Sequence, residues 1–353
     1  MTPSTSTSNL HQVLNHEGLV TSPLPDFARD TNELVKLYRA LVLTRAFDTK
    51  AIALQRTGRL GTYASSLGQE AIGVGIAAAM QPNDVLLPSF REHGAQLWRG
   101  VTIKELFLYW GGDERGNDFS GPREDFPNCV PVGSHAPHAV GVALAFRLRG
   151  EKRAAVCVFG DGATSKGDVA EALNMAGVWK VPAVFVINNN GWSISVPLEK
   201  QTAAHTLAQK AVAAGMPGEQ VDGNDVIAIR AATQRALERA REAEGPTLIE
   251  AVTYRLCDHT TADDASRYRD DAEVSRHWPF EPLARLRNYL THSKLWDRGK
   301  EDALLQECNR AVETAADEYL AIPPQQLTSM FDQVYATAPA DLVAQRMIAD
   351  SSA

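Results

Sequence analysis

Residues 160–190 read GDGATSKGDVAEALNMAGVWKVPAVFVINNN, and this stretch decides the fold class. An apolar run, Ala154–Phe159, leads into it and stops at Gly160-Asp161-Gly162. A segment with helical spacing follows, and a second apolar run, Ala183–Ile187, stops at Asn188-Asn189-Asn190. Strand, turn, helix and strand in that order make a βαβ unit with parallel strands. Both polar clusters then lie at strand C-termini, on the shared edge where open α/β sheets bind ligands. The crossover brings Asp161 and Asn190 together although they are far apart in sequence. One carboxylate and one amide oxygen suit a hard cation such as Mg²⁺, which commonly takes phosphate oxygens as well. The glycines admit close approach of a phosphate, and a helix starting near Thr164 would favour its charge.

Competing readings of the turn are weaker. A P-loop requires GxxxxGK[ST], and no Lys-Ser or Lys-Thr follows Gly167. A dinucleotide fingerprint requires GxGxxG, whereas this turn reads GDGATS, and asparagines replace the acidic residue at the end of the second strand. Gly-Asp-Gly by itself is an ordinary turn with a capping Asp. The asparagine cluster at the next strand end is what lifts it above that.

Charge excludes several classes of partner. The 353 residues carry 43 acidic against 35 basic side chains, a net charge of −8 with no basic cluster, which argues against nucleic acid and anionic membranes. Uncharged apolar stretches such as Ala71–Met80 fall well short of the ~20 residues that span a bilayer. The first 28 residues contain no Lys or Arg, so no secretory signal is visible there. Residues 1–29 read as an N-terminal arm, flexible or partner-bound, and residues 30–353 as a single α/β domain. Cys129, Cys157, Cys257 and Cys308 form no CxxC pair or metal-ligand spacing, as in reduced thiols of a cytoplasmic protein.

Along the chain, residues 30–57 carry apolar positions at helical spacing, with Asp30 or Thr31 as a cap. Residues 58–100 alternate Gly-rich turns with an Ala/Gly helix. Residues 111–137 are irregular and crowded with Gly, Pro and charge, and a loop of that length inside a compact domain is usually functional. After the βαβ core come a helix to about Ala243, a strand at Thr247–Leu256 and a polar loop at 257–270. Helices near 280–290 and 300–320 and a helical tail close the chain.

GDG followed by NN at this distance resembles the motif of thiamine-diphosphate enzymes. Within that family the chain is similar to α subunits of two-chain 2-oxo-acid dehydrogenases, over about residues 30–340. LPSFREHG (87–94), GGDERGND (111–118), VPVGSHAP (130–137) and DHTTADDASRYR (258–269) carry the likeness. The resemblance implies a parallel-sheet, thiamine-diphosphate-binding α/β fold with helices on both faces and C-terminal helical additions. It implies Mg²⁺ held by Asp161, Asn190 and the Trp192 carbonyl. Cofactor contacts fall on Phe90, Arg91, Val130, Val132, Asp161, Gly162, Ala163, Asn190 and His259. Arg91 would bind the diphosphate, for which a planar, always-charged fork is well suited. His259 would touch the cofactor phosphate on a loop that folds over the site, with a catalytic role, and Asp263, Asp264, Arg267 and Tyr268 would hold the loop's shape. The loop's Asp, Ser, Thr and Arg content predicts no stable core contact and mobility without ligand. Phe90 and Trp192 stand where the family commonly has tyrosine, and His135 stands where glutamine is frequent, which leaves His135 a packing role. Thr260 replaces the serine that animal mitochondrial members phosphorylate.

The diphosphate signature occurs once, and the chain is too short for a second full cofactor domain. The resemblance therefore implies a separate β subunit, an α₂β₂ assembly, and transfer of the product acyl group to a lipoyl-bearing dihydrolipoamide acyltransferase. Pyruvate is the first substrate it implies and a branched-chain 2-oxo acid the second. A non-catalytic regulatory or scaffold subunit is the reading from another class.

Overall fold

The two apolar runs form strands because each is buried on both faces, as central parallel strands are. In a computed structural model, which describes residues 10–332 and 334–351, the first apolar element is helix α1 (Thr31–Arg56), capped by the Asp30 side chain on Asn32 N–H. Then come α2 (Glu70–Ala79), β1 (Val85–Leu87), α3 (His93–Arg99), α4 (Ile103–Trp110) and α5 (Ala136–Arg149). The βαβ core is β2 (Ala155–Gly160), α6 (Gly167–Trp179) and β3 (Ala183–Asn189). A small antiparallel hairpin of β4 (Trp192–Ser193) and β5 (Val196–Pro197) follows, then α7 (Lys210–Ala213), β6 (Gly218–Asp222), α8 (Val226–Arg241) and β7 (Thr247–Val252). Helices α9 (Asp271–His277), α10 (Pro282–His292), α11 (Arg298–Leu320) and α12 (Ala340–Ser351) complete it.

The main sheet is parallel throughout, in the order β1-β2-β3-β7-β6. The pleat divides each strand between two cores. Val156, Val158, Val184 and Val186 face α1, α2 and α8, while Ala155, Cys157, Phe159, Phe185 and Ile187 face α5 and α6. Helices therefore cover both faces, as the α/β reading predicts. Among the described residues no helix is long and apolar enough to cross a membrane.

Three expectations are corrected. Residues 10–29 are not a loose arm: Val13 and Leu14 are buried in the first core, and their N–H groups donate to Asp225 Oδ2 at 2.7 and 2.6 Å. His11 bridges to Val221 in parallel, so the segment covers the otherwise open edge of β6. Residues 1–9 of the expected arm lie outside the described residues. The helix expected from Thr164 starts instead at Gly167, because Asp161–Ser165 is a 3₁₀ turn in which Thr164 Oγ1 donates to the Asp161 carbonyl at 2.8 Å. Finally, the 257–270 loop does contact the core. Ala265 is buried, Thr261 N–H donates to the Tyr63 carbonyl at 2.8 Å, and Arg269 Nη1 donates to the Arg255 carbonyl at 2.5 Å. Its charged side chains satisfy backbone carbonyls, which composition does not reveal.

Candidate functional site

The C-terminal ends of β2 and β3 open onto a cavity of about 430 Å³. Every residue singled out for cofactor or metal lines it: Phe90, Arg91, Val130, Val132, Asp161, Gly162, Ala163, Asn190, Trp192 and His259. They arrive from different elements. Asp161–Ala163 form the 3₁₀ turn after β2, Asn190 follows β3, and Phe90–Arg91 lie between β1 and α3. Val130 and Val132 come from the long irregular segment, with exposed side chains. Gly191, at φ +82°, turns the chain so that Trp192 lies beside Asn190.

Asp161 is buried, and burial pushes its carboxyl above the ordinary value. Gln201 Nε2 donates to its Oδ2 at 2.8 Å, and no cation pairs with it among the described residues. Asn190 Oδ1 accepts from Trp192 N–H at 3.2 Å, and its Nδ2 donates to Gln69 Oε1 at 3.0 Å. The Trp192 carbonyl takes a long 3.4 Å hydrogen bond from Arg255 Nη1. The asparagine run splits by the pleat. Asn188 and Asn190 face the cavity, whereas Asn189 turns away and donates to Glu250 Oε1 at 2.7 Å. Asn188 Oδ1 is buried without a partner among the described residues.

Across the cavity, Arg91 is buried with no carboxylate ion pair among the described residues. Its Nη1 donates to the Ser65 carbonyl at 2.6 Å, and its Nη2 donates to the His259 carbonyl at 2.6 Å and lies 2.9 Å from His259 Nδ1. Burial lowers its pKa. Behind it stands Arg255, fully buried and also without an ion pair among the described residues, donating to the Ile194 carbonyl and the Tyr268 hydroxyl at 2.7 and 2.9 Å. Burial first, and then these two guanidiniums, lower His259 from an ordinary 6.5 to about 4, so it is neutral at pH 7.

These charges decide what fits. A buried carboxylate without a cation, beside amide and carbonyl oxygens, suits a hard divalent ion. Buried guanidiniums without an anion suit phosphate oxygens. Among the described residues no three His, Cys, Asp or Glu cluster, so a metal here needs amide, carbonyl and ligand oxygens.

Sequence reading missed Arg255, Gln201, Asn188 and Glu92. Glu92 lines the cavity, is buried, and accepts from Ser89 Oγ at 2.8 Å, and burial raises its pKa. Only strand alternation within the asparagine run signals any of these, and it points to Asn188. His135 lies on the cavity wall with Nε2 2.8 Å from the Val158 carbonyl, which fixes the ring against β2.

A parallel sheet edge that presents an unneutralised anion and cation to one cavity has the charge pattern that suits a divalent cation beside an anionic ligand. The chain belongs to the Dehydrogenase E1 component family, whose pattern matches residues 38–327. It is thereby a thiamine-diphosphate-dependent 2-oxo-acid dehydrogenase α subunit. The 3-methyl-2-oxobutanoate dehydrogenase subunit alpha of Mycobacterium tuberculosis is 43% identical over 310 residues, covering 88% of this chain and 84% of its own. The pyruvate dehydrogenase E1 component subunit alpha of Bacillus subtilis is 39% identical over 338 residues, 95% of this chain and 90% of its own. That of Staphylococcus aureus is 39% identical over 337 residues, with the same coverage.

Proposed function

We propose that this chain is the α subunit of a cytoplasmic pyruvate dehydrogenase that binds Mg²⁺ and thiamine diphosphate with a β subunit as α₂β₂. Together they decarboxylate pyruvate and pass the acetyl group to the lipoyl group of a dihydrolipoamide acyltransferase. The observation that carries the reading is the pair of uncompensated buried charges, Asp161 against Arg91, facing one cavity. Residues 30–353 would act as one cofactor-binding unit. Asp161, Asn190 and the Trp192 carbonyl would hold Mg²⁺, and Arg91 and His259 would hold the diphosphate. The backbone at Val130 and Val132 would orient the pyrimidine, with Phe90, Gly162 and Ala163 lining the cradle. When bound, thiamine diphosphate supplies the electron sink for loss of CO₂ from a 2-oxo acid. Neutral His259 donates to a phosphate oxygen without bringing a third buried cation.

The β subunit is supported by exposed aliphatic side chains at the cavity: Val130, Val132 and Ile194 line it and Val196 lies beside them in the hairpin. Such a rim beside a site marks a partner surface. The 43% identity to the Mycobacterium tuberculosis protein supports a second substrate, 3-methyl-2-oxobutanoate.

The test is co-purification with the β subunit and comparison of decarboxylation of the two acids. Pyruvate is expected to be the better substrate, and preference for the branched acid reverses the assignment. The α chain alone is expected to turn over neither, so robust turnover by pure α chain refutes the shared site. Cofactor binding without turnover of either acid by the complex would instead leave the scaffold reading.

A further inference from the structure

Helix α9 directly follows the 257–270 loop and buries no residue of its own. Its hold on the body is narrow. Glu273 Oε1 accepts from Trp192 Nε1 at 3.2 Å and from the Tyr254 hydroxyl at 2.8 Å. The His277 ring stacks on Tyr254 with centroids 3.8 Å apart, and Val274 packs on the small cluster of Trp192, Tyr254 and Leu256. Glu273 has no ion pair among the described residues, so its attachment is made by two donors rather than by opposite charge.

One of those donors belongs to Trp192, whose carbonyl is assigned to the cation. The turn at 190–192 is thus held from outside by its indole N–H and from inside by its backbone. The Trp192 ring also lies 5.7 Å from the Tyr268 ring. The Tyr268 hydroxyl accepts from Arg255 Nη2 at 2.9 Å and donates to Asp263, and Asp263 Oδ2 accepts the His259 N–H at 2.9 Å. Contacts therefore run unbroken from Glu273 through Trp192 and Tyr268 to His259.

We propose that Glu273 is a positioning residue that couples the 190–192 turn to the 257–270 loop, so that placement of the Trp192 carbonyl and of His259 are set together. The inference rests on the reading of the cavity as a Mg²⁺–thiamine diphosphate site. Loss of the acceptor leaves α9 held only by the His277–Tyr254 stack and by Val274, so the C-terminal end of the loop keeps its Arg269 bonds but loses part of its support. Trp192 then keeps its backbone contacts but loses the restraint on its ring, and Tyr268 loses the surface against which it packs.

The experiment uses the α–β complex carrying Glu273→Ala or Glu273→Gln. Hydrogen exchange is followed at the amides of Thr261, Ala265, Tyr268 and Arg269 without ligand, and Mg²⁺–thiamine diphosphate affinity is measured by calorimetry. Glu273→Ala is expected to speed loop exchange about tenfold and to weaken cofactor binding by about the same factor, as for one or two lost hydrogen bonds. Glu273→Gln keeps an acceptor oxygen for both donors and should restore both readouts to near wild type. Loop exchange unchanged in Glu273→Ala overturns the coupling, and so does Glu273→Gln behaving like Ala. Failure of the wild-type complex to bind the cofactor would sink the reading of the site instead, while the ligand-free exchange comparison would still decide the coupling.

Discussion

Arg45 and Arg91 are both held inside the fold, yet their surroundings differ in kind. Arg45 bonds the fully buried carboxylate of Glu70 and, at 3.0 Å, Glu281, so α1, α2 and the start of α10 are joined by matched charge. Arg285 is matched likewise by Asp222 at 2.6 Å. The Arg91 guanidinium and the Asp161 carboxylate, at the sheet edge, have only neutral hydrogen-bond partners among the described residues. Matched charge in an interior serves the fold, and its removal leaves an orphan. Unmatched charge costs the empty protein stability and is relieved only when a ligand of opposite sign arrives. The difference separates the region that holds the protein together from the region that waits for something.

The largest expected effect tests the matched side. Glu70→Gln strands part of the Arg45 charge in the interior and should cost about 3 kcal/mol of unfolding free energy, read from urea denaturation. A loss comparable to a surface substitution would erase the distinction between the regions. Next comes Asp161→Asn, which removes the proposed anionic ligand while keeping the shape. Cofactor affinity should fall at least ~100-fold, about 2.7 kcal/mol, by calorimetry on the α–β complex, while the ligand-free denaturation midpoint stays level or rises. Unchanged binding of Mg²⁺–thiamine diphosphate would remove Asp161 from the site.

A pH experiment sharpens the comparison further. Burial and its two arginine neighbours hold His259 near 4 in the folded state against an ordinary 6.5. Above pH 6.5 the imidazole is neutral in both states. As pH falls from 6.5 towards 4, the unfolded chain takes up a proton that the folded chain refuses, so this residue makes stability decline across that window. His259→Ala should flatten that part of the stability profile, and a diphosphate bound beside the ring should do the same by favouring its charged form. Identical slopes in wild type and variant would place the titration elsewhere. The smallest effect is expected at Arg29→Ala. Its partner Asp26 is 3.7 Å away and both are solvent-exposed, so stability should change by less than about 0.5 kcal/mol.

Much of this was legible because it rests on local rules. Strand runs that stop at glycine or asparagine mark a sheet edge, and Asp30 before a helical apolar pattern marks the start of α1. The 257–270 loop was misjudged because its charged residues bond backbone groups at and within the loop rather than water: Arg269 donates to the Arg255 and Cys257 carbonyls, and Asp263 accepts the His259 N–H. Val13 and Leu14 were misjudged for a related reason. Two apolar residues in a polar stretch carry no period, and their burial depends on an open strand edge at β6 that the stretch itself does not encode.

By itself, then, the sequence determined the parallel α/β arrangement and the meeting of Asp161 with Asn190, since strand polarity and crossover length leave few alternatives. Only the tertiary structure decided that Asn188 faces the cavity while Asn189 turns away, that Gln201 reaches Asp161, and that Arg255 stands buried behind Arg91 and His259. Those facts depend on the phase of a pleat and on side chains converging from separate elements. Spacing along a chain does not carry that information, because burial and electrostatic matching are properties of the packed whole.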